Sequence, residues 1–223
     1  MHDDSLAGLG RVLDGLPRAG AEQVAQALAA SKTIELEPGV PHSRNAFPDA
    51  ALLVVEDGFV VLRASYPRPS RSIITCEAGA GRILLPPPAD WVLVGLVRSR
   101  VNAIPVDVHD RLLSIPGVAQ RIVEQMAVAL GQKQEAIGNF AHGPHVERVR
   151  RKLLQLARTY GHVVRGGIRI DFPVTHALLG EMVGSSRETV TRALDQLQRR
   201  GFVARRGSVY QLLVSPESVF GVG

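Results

Sequence analysis

The segment from Thr175 to Gly201, THALLGEMVGSSRETVTRALDQLQRRG, constrains this chain more than any other stretch. Thr175 can cap a helix over HALLGEMV, because its hydroxyl can accept from a free amide of the first turn. Gly184 then suits the left-handed residue that ends a helix. Ser185 or Ser186 can cap a second helix over RETVTRALDQLQRR. On that helix Val190, Leu194 and Leu197 share an inner face, which leaves Arg187, Glu188, Thr191 and Arg192 exposed at its start. A short helix, a tight glycine turn and a second amphipathic helix make a helix-turn-helix. FVARRGSVYQLLV follows at once and reads as two strands around Gly207, with Arg205 and Arg206 at the turn. The whole predicts a winged helix.

These residue types suit duplex DNA. The first turns of the second helix of such a motif enter the major groove. Arginine can pair bidentately with guanine O6 and N7, and glutamate can accept from cytosine N4. Arg187, Glu188 and Arg192 are therefore the candidate base readers. Ser186 and Thr189 can reach phosphates, which fixes register without reading sequence. Thr175, Arg205 and Arg206 complete the candidate phosphate contacts. A plain solvated face with charge pairs such as Glu188 with Arg192 is the competing reading, and the basic wing decides against it. Charge is divided along the chain in the same sense. From Gly143 onward there are 13 Lys/Arg against 6 Asp/Glu, and the rest holds 13 against 15. A basic C-terminal module facing a polyanion follows.

Upstream the texture changes twice. AEQVAQALAAS and, before it, LAGLGRVLDGL give short helical patterns broken by Gly15, Pro17 and Gly20. From Thr33 to about Pro105, short apolar and β-branched runs alternate with Gly, Pro and Asp-Gly signals. Asp57-Gly58 is a hairpin turn, and Pro86-Pro87-Pro88 excludes a central strand. From Pro116 a single long helix is predicted, its stripe running through Ile122, Met126, Ala129, Leu130, Lys133, Ile137 and Phe140. Gly143-Pro144 breaks it and forms a candidate hinge. The expected fold class is α+β: an N-terminal antiparallel β-roll of the jelly-roll kind over residues 1–115, a dimerisation helix over 116–142 and a winged helix over 143–223.

The stretch LLGEMVGSSRETVTRALDQLQRRGFV resembles the DNA-binding domain of the cyclic-AMP receptor protein and fumarate-nitrate regulator (CRP/FNR) superfamily. The order roll, long helix, hinge and winged helix is similar too, as is the spacing of Met126-Ala127 and Gly138-Asn139. The resemblance implies a homodimer that pairs through the long helix. It further implies an inverted-repeat operator with TGTGA-like half-sites about one helical turn apart, and contact with RNA polymerase. Arg187, Glu188 and Arg192 match the family's base-reading positions. Ser186 and Thr189 match phosphate-contacting ones, and His176 stands where a longer polar residue approaches phosphate.

Family members that bind cyclic nucleotides carry a cassette, FGE-(L/I) then RSA, whose helix start, glutamate and arginine serve phosphate and ribose. The corresponding ILLPPPADWVLVGLVRSRVNAIP holds neither. Arg98-Ser99 is a fragment of it, and Lys133 and Gln134 replace the polar pair that meets the base. Cyclic AMP is therefore not the expected effector. Arg63, Arg71, Arg82, Arg98 and Arg100 could hold another anion. Cys76, as a haem ligand (like His42 or His109) or a redox switch, is a further possibility. Its solitude excludes an iron-sulfur cluster within one chain. A cupin-like metal enzyme would need clustered His and carboxylates, and no HxH pattern is present. No apolar run is long enough for a membrane span and no secretory signal is visible, so a cytoplasmic address is expected.

Overall fold

The computed structural model describes residues 18–29, 31–66, 71–141, 143–207 and 209–220. The LAGLGRVLDGL pattern and part of the hinge region, at position 142, lie outside these. The chain divides into two compact units, Met1–Ser65 with Thr75–Lys133, and Tyr66–Ile74 with Gln134–Gly223.

The first unit is a roll of two antiparallel sheets. Its strands are β1 (Lys32–Leu36), β2 (Pro41–His42), β3 (Ala50–Asp57), β4 (Phe59–Tyr66), β5 (Arg71–Gly79), β6 (Ile83–Leu84), β7 (Trp91–Gly95) and β8 (Ser99–Pro105). One sheet runs β1-β8-β3-β6 and the other β2-β7-β4-β5. Strand β3 shows why the sequence reads as an unbroken apolar run. Leu53 and Val55 point into the space between the sheets, where they meet Leu36, Val60, Leu93 and Val101. Leu52 and Val54 point the other way, against helices. Both faces are buried, so period-2 polarity has nothing to mark. Asp57-Gly58 turns β3 into β4. Gly58 has φ +86°, and a Cβ there would lie 2.3 Å from Ser99 Oγ. That buried hydroxyl accepts from the Phe59 amide at 3.0 Å and donates to the Val97 carbonyl at 2.8 Å.

The helices covering β3 are α1 (Arg18–Ala29), α2 (Val106–Leu113) and the start of α3 (Val118–Ala141). They contribute Val24, Val108, Leu112, Val118 and Ile122 to a second core. Each such buried aliphatic side chain contributes about 1.5–3 kcal/mol. Helix α2 is absent from the sequence reading, because two turns with only Val108 and Leu112 inward give too little periodicity. The stripe on α3 also needs correction. Ile122, read as partner-facing, is buried in its own unit's core at 6% exposure. The stripe rotates around the helix along its length. Val123, Met126, Leu130 and Ile137 are exposed, at 65%, 45%, 59% and 68%. The side chain of Phe140 lies outside the described residues.

The second unit holds α4 (His145–Tyr160), the hairpin β9 (Gly161–Val164) and β10 (Gly167–Ile170), α5 (His176–Val183), α6 (Arg187–Arg199), the hairpin β11 (Val203–Arg206) and β12 (Val209–Leu212), and α7 (Pro216–Phe220). Its sheet runs β11-β12-β10-β9. Val149, Leu153 and Leu156 of α4, Leu179 of α5, Val190 and Leu194 of α6, Ile168 and Ile170 of β10, and Leu212 of β12 are all fully buried. Strand β9 escaped the sequence reading. It starts directly at the end of α4, where Gly161 is required because a Cβ would come within 2.4 Å of the Ala157 carbonyl.

Candidate nucleic-acid interface

The helix-turn-helix is built as its caps dictate. Thr175 Oγ1 accepts from the Leu178 amide at 3.1 Å and starts α5. Gly184, at φ +62° and ψ +39°, ends it in the left-handed conformation. Ser186 Oγ then accepts from the Thr189 amide at 3.2 Å and starts α6. The turn folds tightly back on α5. The Ser185 amide donates to the Gly180 carbonyl at 2.9 Å, and a Cβ on Gly180 would sit 2.6 Å from the Ser185 carbonyl oxygen. Gly180 is thus a structural requirement of the motif that the sequence reading passed over. Its only signal there is a glycine inside a helix, where it normally costs stability. Two residues from the start of α4 brace the same turn. Arg148 Nη1 donates to the Val183 carbonyl at 3.4 Å, and His145 Nδ1 lies 2.8 Å from Ser185 Oγ. Nothing in local spacing could have signalled that pair, 35 and 40 residues away.

Arg187, Glu188 and Arg192 are exposed on the first two turns of α6, while Val190, Ala193, Leu194 and Leu197 hold the opposite face. Glu188 is held below the usual carboxylate range. Its own backbone amide and the Ser186 hydroxyl hydrogen-bond it, and Arg187 and Arg192 add favourable charge. It is therefore an acceptor, as cytosine N4 requires. Thr191, between the base readers, is turned inward: its hydroxyl donates to the Arg187 carbonyl at 2.9 Å. His176 Nδ1 lies 2.8 Å from the Thr191 hydroxyl oxygen. With the hydroxyl proton already used, Nδ1 must carry a proton and donate. Burial, then the charges of Arg205 and Arg187, lower the His176 pKa and favour the neutral ring. His176 therefore ties α5 to α6, leaving only Nε2 for anything outside.

Ser186 and Thr189 are engaged with each other, their hydroxyls 3.0 Å apart. At the wing, Arg205 and Arg206 are exposed. Arg205 is oriented by its Nε bond to the Gly207 carbonyl at 3.0 Å and by stacking over Tyr210, 6.0 Å from the ring centroid. Tyr210 is wholly buried, its hydroxyl has no hydrogen-bond partner among the described residues, and burial pushes its pKa up.

The roll presents a different surface. The connection between β6 and β7, Leu85–Asp90, carries no helix. Arg98 is paired with Glu35 at 2.7 Å and lies 3.8 Å from Glu37, and Arg100 lies 3.6 Å from the buried Glu56. A cavity of about 450 Å³ opens between β3–β6 and α3, and neither arginine lines it. Met126, Ala129, Leu130 and Lys133, assigned from the sequence to the dimer stripe, form its helical wall.

Residues 147–215 match the Crp-like helix-turn-helix domain. A CRP-like cAMP-activated global transcriptional regulator of Mycobacterium tuberculosis is 25% identical over 205 residues, covering 86% of this chain and 91% of that protein. Among solved structures, a CooA variant from Carboxydothermus hydrogenoformans superposes with TM-score 0.73 at 16% identity, covering 87% of this chain and 88% of the other. The CRP/FNR-family regulator TTHA1359 of Thermus thermophilus gives 0.62 at 19%, covering 84% and 96%. Two-sheet roll, long helix and winged helix are thus shared in order along nearly the full chain, and the capped helix-turn-helix carries the specific sequence match: residues 147–215 form a Crp-like helix-turn-helix domain, and the chain as a whole is similar to transcription regulators of the CRP/FNR family.

Proposed function

We propose that this regulator is a homodimer that reads an inverted repeat with TGTGA-like half-sites through Arg187, Glu188 and Arg192, and that cyclic AMP does not gate it in the usual way. The observation that carries the reading is the trio of exposed charged side chains on the first two turns of α6. Packing needs none of them there. Ser186, Thr189 and Thr175 at the helix starts, with Arg205 and Arg206 on the wing, form the phosphate-facing rim; His176, whose Nδ1 proton is donated inward, joins it only when Nε2 is protonated. The exposed apolar side of α3 at Met126, Leu130 and Ile137 supports pairing with a second copy. In this reading residues 1–115 form the roll, 116–142 the dimer helix and 143–223 the DNA-binding domain. Gly143, at φ +98°, and Pro144 are the hinge through which the spacing of the two recognition helices is set. RNA polymerase is the further partner, and the protein acts in the cytoplasm; no helix among the described residues is long and apolar enough to cross a membrane.

The cyclic-AMP clause is supported by the helix-free β6–β7 connection and by the carboxylate partners of Arg98 and Arg100. Fluorescence anisotropy on a TGTGA inverted repeat and on a scrambled duplex, with and without cyclic AMP, tests both clauses. The expected result is preference for the repeat without nucleotide. Preference only with cyclic AMP would remove the second clause, and no preference under any condition would remove the operator.

A further inference from the structure

The roll cavity is walled by Leu52, Leu62, Cys76, Ile83, Leu84 and Leu85 on the strand side and by Val123, Met126, Ala127, Ala129, Leu130 and Lys133 on the helix side. Its volume, about 450 Å³, is that of a small-molecule site. Its lining is what departs from a nucleotide site. Among the described residues no side-chain hydroxyl, amide, carboxylate or guanidinium lines it, and Lys133 is the one charged side chain in the wall. A sugar phosphate seated there would lose its water without gaining partners, an unfavourable exchange for each buried polar group. An apolar body loses nothing by entering. Lys133 is half-buried and pairs with no carboxylate among the described residues, so it can meet one negative charge at the edge of an apolar wall. A lysine so placed can lay its aliphatic stem along an apolar wall and keep its ammonium near water.

We infer that the cavity takes an apolar small molecule bearing a single anionic group, such as an aliphatic or aryl carboxylate, with Lys133 as its counter-ion. The inference deepens the reading of a regulator whose roll is not gated by cyclic AMP, by naming the class of effector that replaces it. The cavity wall is partly α3, the helix assigned to dimer pairing. Occupancy would therefore press on Met126 and Leu130 and reach the spacing of the recognition helices through that helix.

The test uses the full chain, with 1-anilinonaphthalene-8-sulfonate as fluorescent probe and decanoate, decanol and cyclic AMP as competitors. Cys76 is the sole cysteine and lines the cavity, so its rate of reaction with a thiol reagent reports occupancy independently. Decanoate should displace the probe at saturation and slow Cys76 labelling, and decanol should compete about tenfold more weakly. Lys133→Met should erase that difference by weakening decanoate alone, and Ala127→Phe should exclude both by filling the space. Equal displacement by decanoate and decanol, unchanged Cys76 labelling, or displacement by cyclic AMP alone would each overturn the inference. DNA anisotropy on the same samples separates the two claims. Decanoate binding without operator preference sinks the operator, and operator preference without decanoate binding sinks the ligand.

Discussion

The two units treat charge in opposite ways. On the helix-turn-helix, Arg187, Glu188 and Arg192 are exposed, no ion pair among the described residues ties Arg187 or Arg192 to a carboxylate of another element, and Arg205 is oriented by a carbonyl and a ring. In the roll, Arg98 and Arg100 face Glu35, Glu37 and Glu56, and the cavity, which neither arginine lines, is walled among the described residues by apolar side chains and Lys133. In the proposed reading, one unit therefore presents a surface suited to a polyanion, and the other a cavity of ligand size with an apolar wall. Fold and specificity are separable within one chain, and only side chains report the second.

The contrast can be broken at several points. Gly180→Val should be the most damaging, because its branched side chain meets a backbone oxygen that cannot move without opening the turn. A loss of about 1–3 kcal/mol is expected. Operator binding should fall while Cys76 labelling in the roll stays unchanged, read by anisotropy and thiol kinetics. Tyr210→Phe should act in the opposite direction. Removing a buried hydroxyl without a partner should stabilise the second unit by about 1 kcal/mol, seen as a higher melting temperature; a lower one would mean that the hydroxyl is satisfied. Arg206→Ala should weaken all duplexes alike and reduce the slope of log affinity against log salt by about one unit between about 50 and 200 mM. The smallest effect concerns pH. The His176 pKa is lowered in the folded chain from its ordinary 6.5, so the unfolded chain binds more protons just below that value. Stability should therefore fall slightly as pH drops through it and be flat above it. His176→Asn should flatten the profile, and an unchanged profile would mean that another group titrates.

Legibility in the sequence follows the range of the interactions. Thr175, Gly184 and Ser186 act within four residues of themselves, and their roles could be read directly. The same holds for Asp57-Gly58 and for the inward face of α6. Helix α2 and strand β9 are too short to show a period. Gly180, His145 and Arg148 matter only because of what folds against them. The stripe of α3 was visible, but which neighbour covers each residue was not: Ile122 belongs to its own core, and Met126 and Lys133 border a cavity. That cavity is assembled from residues 52 to 133, and no local pattern announces it.

The central claim is that Arg187 reads a base. Anisotropy of wild type and Arg187→Ala on the TGTGA inverted repeat, and on duplexes substituted at each half-site position, tests it most directly. The account predicts a loss of about 1–3 kcal/mol on the repeat and relaxed discrimination at one base pair, with the others still distinguished. An Arg187→Ala protein with undiminished affinity and an unchanged preference at every position would contradict it.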